Sequence, residues 1–115
     1  ERFEVVCRRA LEDIYMKEGV AAEFDIGEYW NKEVQIDVVG IRNDNITDLC
    51  ECKFGAVRSP GAVENELRQK TVHFPNPRNA TIIHRIFALK APRGTTSMKW
   101  YGIDDLYESD GAGPS

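Results

Sequence analysis

The sequence predicts a single α/β domain whose elements follow the order helix, strand, strand, strand, helix, strand, strand. Three observations predict this class: an opening segment with helical spacing of its apolar residues, two adjacent segments that alternate as in a strand pair, and a later apolar run rich in isoleucine. A chain of 115 residues can bury one modest core and is too short for two domains.

The first helix is predicted over residues 2–18, because its apolar residues recur every three or four positions and so share one face. Gly19 is predicted to end this helix, since glycine readily takes the left-handed conformation that closes a helix end. The predicted apolar face consists of Phe3, Val6, Cys7, Ala10, Leu11, Ile14 and Tyr15.

Three strands are predicted next, over residues 23–30, 34–41 and 47–54. The polar stretch 42–46 contains turn-forming residues, so the second and third strands are expected to form a hairpin centred on Asp44. In the second strand, alternation predicts one face formed by Val34, Ile36 and Val38 and the other by Gln35, Asp37 and Val39.

The second helix is predicted from Gly61 to about Thr71. Pro60 suits its first turn, where the missing amide hydrogen of proline costs nothing. Pro75 and Pro77 prevent its continuation, because proline cannot donate the helical hydrogen bond.

Two more strands complete the predicted sheet. Residues 80–90 form the β-rich apolar run expected of an inner strand, and residues 100–103 form a short last strand. The glycines and proline of residues 109–115 predict a disordered tail, which leaves residues 1–108 as the domain. The chain begins without methionine and already within a helical pattern, so we expect it to be a fragment of a longer protein.

The charges of the chain are unevenly distributed, although the net charge is only −4. Residues 1–52 contain 6 basic and 13 acidic residues, residues 53–99 contain 9 basic and 2 acidic residues, and residues 100–115 contain 4 acidic residues. An acidic half followed by a basic half suits a protein that gathers carboxylates around a cation and presents a basic surface to phosphate groups. The alternative is a charge dipole without a partner.

Composition also sets the expected compartment. No stretch approaches the roughly 18 consecutive apolar residues of a membrane span, and the amino end lacks the layout of a signal peptide. Three cysteines cannot all pair with one another, and no two have CxxC spacing, so reduced thiols are expected to pack as small apolar residues. A cytoplasmic protein without a membrane partner is the resulting expectation.

The predicted hairpin places two carboxylates opposite one another. If the hairpin is symmetric about Asp44, Asp37 faces Glu51, with Cβ atoms about 4.5 to 5.5 Å apart. Like charges at that distance destabilise a sheet, so a divalent cation held by both carboxylates is the natural compensation. Lys53 follows Glu51 by two residues and projects from the same face, where an amine can hold a water and neutralise charge developing on a phosphate.

Each of these residues also has a simpler interpretation. A single acid on a strand is usually a solvated surface group, and a Glu-x-Lys triplet alone occurs often by chance. The apolar surroundings, Val-Gln-Ile-Asp-Val-Val and Leu-Cys-Glu-Cys-Lys-Phe, favour a functional role, since charged residues seldom lie within such strands without one. Glu4, at the margin of the apolar face of the first helix, is a fourth candidate, and its alternative is a surface glutamate.

A helix glutamate, an aspartate on the second strand and Glu-x-Lys on the third together resemble the PD-(D/E)xK nuclease superfamily. Asp37, Glu51 and Lys53 match its core motif. More narrowly, the segments IGEYWNKEVQIDVVG and ECKF resemble the nuclease-like domain at the carboxyl end of a group of archaeal and bacterial AAA+ ATPases, over about residues 3–107. Glu28 stands where those domains tend to have arginine, a difference that affects a surface or phosphate contact and leaves the metal set untouched.

The resemblance implies a restriction-endonuclease-like core, with a mixed central sheet flanked by helices, that binds Mg²⁺ or Mn²⁺. It implies that Asp37 and Glu51 are the metal ligands, that the backbone carbonyl of Cys52 completes the shell, and that Glu4 reaches the metal directly or through water. Lys53 would position the nucleophile.

The second helix of related resolvases often adds a polar residue to the site, and here Gln69 or Lys70 would fill that place. For any single basic residue the alternative to a nucleic-acid contact is a solvated charge. His73 and His84 are expected to be structural or surface residues, since no cysteine or histidine partner stands at a zinc-like spacing. The candidates for contact with a nucleic-acid backbone are Arg58, Arg68, Gln69, Lys70, Arg78, Arg85 and Arg93.

The leading functional hypothesis is a metal-dependent DNA endonuclease, in which water attacks phosphorus in line with the leaving oxygen. Selectivity for branched or single-stranded DNA follows only by analogy with resolvases. The alternative is a catalytically silent nuclease fold that binds nucleic acid or regulates an AAA+ ATPase domain of the same full-length chain. A third hypothesis is a protein-interaction domain, with Tyr29 and Trp30 as an exposed aromatic patch. Dimers are common in the superfamily, so a homodimer is a further expected assembly.

Overall fold

A five-stranded mixed sheet lies between two helices in the computed structural model, which describes residues 3–104. The predicted order of elements is confirmed, and each predicted boundary lies within two residues of the observed one. The predicted tail, residues 109–115, lies outside the described residues. The elements are α1 (Phe3–Lys17), β1 (Phe24–Trp30), β2 (Gln35–Arg42), β3 (Ile46–Lys53), α2 (Pro60–Val72), β4 (Thr81–Ala88) and β5 (Lys99–Gly102).

The strands lie side by side in chain order, β1-β2-β3-β4-β5. The first three pair in antiparallel fashion, whereas β4 runs parallel to β3 and β5 runs parallel to β4. The helix α2 connects β3 to β4, which is the usual form of a crossover between parallel strands. The sheet is therefore mixed, and β4 is an inner strand, as the sequence predicts.

The predicted helix ends are confirmed by their capping geometry. Gly19 follows α1 with a φ of 69°, and the amide of Val20 donates to the carbonyl of Tyr15, which closes the last turn. At the start of α2, the Ser59 side chain accepts a hydrogen bond from the amide of Ala62, directly ahead of the proline at the first helical position.

The register of the β2–β3 hairpin is symmetric about Asp44, as predicted. Its pairs run from Val38 with Cys50 to Ile41 with Thr47. The turn closes at Asn45, which has a φ of 62°, a left-handed conformation that asparagine tolerates better than most residues.

The alternation predicted for β2 is wrong in part, because the strand contains a bulge. Across β1–β2, Gly27 pairs with Val39 but Tyr29 pairs with Ile36, so one residue of β1 faces both Asp37 and Val38 of β2. Side chains on either side of the extra residue therefore share a face. Ile36 and Val39 pack together on the α2 side, whereas Val38 packs on the α1 side.

Each face of the sheet has its own core. Against α1 the buried residues are Cys7, Ala10, Leu11, Ile14, Tyr15, Val38, Cys50, Phe87 and Ile103. Against α2 they are Val34, Ile36, Val39, Leu49, Leu67 and Ile86. All three cysteines are free thiols, as expected, and Cys7 and Cys50 are buried in the α1 core. No helix of residues 3–104 is both long and apolar enough to cross a bilayer.

A buried ionic cluster lies within the α1 core. Arg85 of β4 is 1% exposed and donates from Nε to Oδ1 of Asp48 over 2.7 Å. Its terminal nitrogens donate to both carboxylate oxygens of Glu18 at 3.2 Å, and one also donates to the hydroxyl of Tyr101. Tyr15 donates to the second oxygen of Asp48, and its burial, together with that carboxylate, raises the pKa of the Tyr15 hydroxyl. These bonds satisfy Asp48 and fix α1 on the sheet.

Gly40 of β2 lies next to the Tyr15 hydroxyl of this cluster. A Cβ atom there would collide with the hydroxyl of Tyr15 and press against Leu11, and Tyr15 cannot yield without losing its bond to Asp48. We therefore expect Gly40→Ala to lower the free energy of unfolding by about 2 kcal/mol, measured by urea denaturation.

The matched control is Gly27→Ala, at a strand glycine where an added Cβ would meet no atom within 4 Å. Its effect should stay within about 0.5 kcal/mol. Equal destabilisation by the two substitutions would contradict the close approach of Tyr15 to β2.

Candidate metal centre

Asp37 and Glu51 meet where the β2–β3 ladder ends. The last backbone pair is Val38 with Cys50, so Asp37 and Glu51 are the next residues in the same register. Beyond that pair, the side chain of Asp37 replaces a backbone carbonyl as hydrogen-bond acceptor, because its Oδ2 accepts a hydrogen bond from the amide of Cys52 at 3.1 Å. The bulge at Asp37 and Val38 directs the aspartate toward β3.

Glu51 is 2% exposed, which is rare for a carboxylate without compensation. Burial and a hydrogen bond between its carboxyl and Asp37 raise the pKa of Glu51 to about 7, even though Lys70 acts in the opposite direction. Glu51 is therefore partly protonated near neutral pH, which reduces its repulsion with Asp37.

Lys70 of α2 is the cation that compensates this pair. Its Nζ lies 2.8 Å from Oε2 of Glu51, and its side chain is 22% exposed. Burial lowers the pKa of Lys70, but the bond to Glu51 and the charges of Asp37 and Glu66 outweigh burial, so the pKa lies above its ordinary value. Lys70 was predicted as a polar addition from the second helix or as a phosphate contact, and the structure brings it to the carboxylates.

Lys53 projects from the same face of β3 as Glu51, as predicted, and contacts Glu66, an acid of α2. Its Nζ lies 3.5 Å from Oε2 of Glu66, whose Oε1 lies 3.6 Å from Nζ of Lys70. Sequence reasoning missed Glu66. The spacing of Glu66 and Lys70, four positions apart on a helix, was the available indication that these two side chains would meet.

The position of α2, and therefore of Lys70 and Glu66, is fixed by Glu64. This carboxylate is buried and accepts hydrogen bonds from the hydroxyl of Ser97, the amide of Met98 and Nε1 of Trp100, at 2.8 to 2.9 Å. The same helix contacts β4 through Thr71, whose hydroxyl lies 2.8 Å from Nε2 of His84. His84 is thus a structural residue, as expected.

The donor set fits a hard divalent cation held by two carboxylates. Mg²⁺ is commonly bound by one or two carboxylates, with waters and substrate phosphate completing its shell. Within residues 3–104, no group of three or more His, Cys, Asp and Glu side chains is arranged to hold a metal ion. A cation at this position would therefore depend on Asp37 and Glu51, and the predicted contribution of the Cys52 carbonyl stays a prediction.

The structure does not bring Glu4 to the carboxylate pair. Glu4 is exposed in the first turn of α1, which packs on the face of the sheet opposite to Glu51 and Lys53. Its neighbour Phe3 contacts Phe54 edge to face, with ring centroids 5.5 Å apart, so Glu4 lies near the end of β3. Its role toward a metal stays a prediction.

The predicted backbone contacts fall into three groups. Arg58, Arg68 and Gln69 are exposed in or directly before α2, and Arg68 donates to Asn65 and Ser97. Arg78 is exposed but precedes β4, whose first residue pairs with the start of β3, so it lies roughly 20 Å from Lys53 along the sheet. The prediction for Arg85 is wrong, because burial and its bonds to Asp48 and Glu18 leave it unable to contact a nucleic acid.

The two aromatic residues at the end of β1, Tyr29 and Trp30, differ in exposure. Trp30 is 71% exposed, whereas the Tyr29 ring packs edge to face on Phe74 with centroids 5.2 Å apart. One exposed ring is less than the aromatic patch that the interaction hypothesis requires.

The fold and the site define a small α/β domain with a pair of carboxylates, one of them buried, and two lysines at one end of a mixed sheet. Residues 1–69 match the family DUF234, described as archaeal and bacterial proteins of unknown function. The match covers more than half of the chain, so the chain belongs to this family. No curated protein and no solved structure matched the chain.

The raised pKa of Glu51 makes the stability of the folded protein depend on pH. The pKa of Glu51 is raised in the folded protein, so protonated Glu51 contributes to the free energy of unfolding. This contribution is fully present below the ordinary pKa of a glutamate and is lost as pH rises through about 7. Glu51→Gln removes this titration. We expect its stability relative to the natural protein to increase by about 3 kcal/mol between pH 4.5 and 8, measured by urea denaturation across that range.

The control is Glu33→Gln, at an exposed glutamate of the β1–β2 turn, which should leave the pH dependence unchanged. A constant difference between Glu51→Gln and the natural protein at all pH values would mean that Glu51 is ionised like a surface acid.

Proposed function

We propose that this domain is a metal-dependent nuclease that hydrolyses phosphodiester bonds in DNA. The observation that carries the proposal is the contact of Asp37 with the buried Glu51, with Lys53 on the same face of β3, in a mixed sheet flanked by helices such as the resemblance implies. A buried glutamate whose pKa is raised costs stability at neutral pH, and such a cost is commonly retained at functional sites.

The roles of the residues follow from their positions. Asp37 and Glu51 would hold Mg²⁺ or Mn²⁺, which supplies Lewis-acid polarisation of a phosphoryl oxygen when bound. Lys53 lies on the same face, two residues along β3, where its ammonium can orient the attacking water and neutralise charge on the phosphorus oxygens. The water oxygen would form the new bond to phosphorus and release a proton to the solvent. The bond to the leaving oxygen would break with its electron pair, and that oxygen would take up a proton from the solvent to become a hydroxyl.

The substrate surface is proposed on the α2 side of the sheet. Arg58, Arg68 and Gln69 are exposed there, near the helix that supplies Lys70, and basic side chains on one surface favour a phosphate backbone. Branched or single-stranded DNA, a homodimer and an attached AAA+ ATPase domain remain proposals from the superfamily resemblance. The three free thiols support a reducing, cytoplasmic location.

Cleavage of DNA tests the proposal. Plasmid and branched DNA incubated with the purified domain and Mn²⁺ should be cut, with 5′-phosphate or 3′-phosphate and hydroxyl ends identified by labelling. Asp37→Asn and Lys53→Ala should each lower the rate by about a hundredfold or more, since the first removes a metal ligand and the second removes a positive charge directed at the reacting phosphate.

The matched control is Asp25→Asn, an exposed aspartate whose neighbour Phe24 pairs with Arg42 at the opposite end of the sheet. It should cleave like the natural protein. Cleavage that persists at an unchanged rate in Lys53→Ala would come from another part of the molecule or from a contaminant, and would count against the proposal.

A second candidate is a nuclease fold that binds nucleic acid without cleaving it. The observation that favours it is that no group of three or more His, Cys, Asp and Glu side chains within residues 3–104 could hold a metal ion. Calorimetric titration with Mn²⁺ separates the candidates, because a silent module should show no binding that depends on Asp37 and Glu51.

A further inference from the structure

We propose that Lys70 and the divalent cation compete for Glu51, and that Glu66 receives the Lys70 ammonium when the cation binds. The inference rests on the proposed metal site, and it gives α2 a specific part in that site. Lys70 is then a positioning residue with two alternative carboxylate partners, Glu51 and Glu66.

The first position of Lys70 is the one that the structure shows. Its Nζ donates to Oε2 of Glu51 over 2.8 Å. The helix α2 packs on the side of the sheet to which Glu51 points. Glu51 is 2% exposed, so little space remains around its oxygens. A cation ligated by Glu51 at about 2.0 to 2.1 Å would lie within a few ångströms of that ammonium. Two positive centres at that separation repel strongly in a site with little water, so the lysine must leave.

The second position lies one helical turn away. Oε1 of Glu66 is 3.6 Å from Nζ of Lys70, and the two residues are four positions apart on α2. The side chain of Glu66 is 46% exposed, so it can adjust its rotamer toward an approaching ammonium. A short rotation of Lys70 therefore exchanges one carboxylate partner for another and leaves no buried charge without a partner.

Glu66 also connects this exchange to Lys53. Its Oε2 lies 3.5 Å from Nζ of Lys53, the amine proposed to orient the water. When Lys70 moves to Glu66, the negative charge that attracts Lys53 is neutralised, and Lys53 is released toward the phosphate. Cation binding at Glu51 would thus prepare the second amine of the site.

The test measures Mn²⁺ affinity by calorimetry at pH 8.5, at which ordinary carboxyl groups are ionised. Lys70→Met should bind Mn²⁺ about tenfold more tightly than the natural protein, the change expected from removing one competing ion pair. Lys70→Arg, which keeps the charge, should bind as weakly as the natural protein. Lys99→Met is the matched control, because Lys99 acts on Glu18 on the α1 side of the sheet, and its affinity should be unchanged.

A double-mutant cycle tests the role of Glu66. Glu66→Gln should weaken Mn²⁺ binding several-fold in the natural background, because the displaced ammonium loses its second partner. In the Lys70→Met background the same substitution should have little effect, since no ammonium has to be received. Thermal unfolding checks that each variant folds, and Mn²⁺ should raise the melting temperature of Lys70→Met more than that of the natural protein.

The outcomes separate this inference from the proposed function. Equal Mn²⁺ affinity in the natural protein and in Lys70→Met, with binding still lost in Asp37→Asn, would overturn the competition and leave the metal site standing. Additive effects in the double-mutant cycle would overturn the role of Glu66. No Mn²⁺ binding in any folded variant would overturn the metal site together with the inference.

Discussion

The placement of the Asp37 carboxylate beside the buried Glu51 constrains the rest of this end of the sheet. The β2–β3 hairpin sets the register of Asp37 and Glu51, and the bulge in β2 directs Asp37 across the end of the ladder onto the amide of Cys52. A like charge nearby disfavours the ionisation of a carboxyl group. Partial protonation of Glu51, whose pKa is raised to about 7, and its ion pair with Lys70 both reduce this repulsion.

The two faces of the sheet treat buried charge differently. On the α1 side, Asp48 is bonded to Arg85 and Tyr15, and Arg85 is bonded in turn to Glu18 and Tyr101. Breaking such a network leaves an uncompensated charge, so it fixes one arrangement of helix and strands. On the α2 side, Lys70 of the helix and Lys53 of β3 pair with their acids and have side chains that are 22% and 31% exposed. Adaptable ion pairs of this kind suit a site where charges must be rearranged.

Much of this organisation could be predicted from the sequence, because it depends on local patterns. The turn residues around Asp44 set the hairpin register, and the register alone places Asp37 beside Glu51. Gly19 and Pro60 mark helix ends through their backbone preferences. Lys53 follows Glu51 on the same face because side chains alternate along a strand.

The remaining features depend on contacts between distant segments. Nothing in the alternation of β2 separates a regular strand from one with an extra residue, so the bulge at Asp37 was not predicted. Arginine is usually found at the protein surface, and Asp48, the partner that allows Arg85 to be buried, lies 37 positions away in the sequence. For Glu4, a helical wheel gives the face of the helix but not the side of the sheet on which that helix packs.

Anomalous diffraction from crystals of the domain soaked in Mn²⁺ would test the carboxylate site directly. A manganese peak within coordination distance of both Asp37 and Glu51 is expected, with the ammonium of Lys70 withdrawn from Glu51. Well-ordered density that shows Lys70 still bonded to Glu51 at saturating Mn²⁺, with no peak between the two carboxylates, would contradict a metal site shared by these two residues.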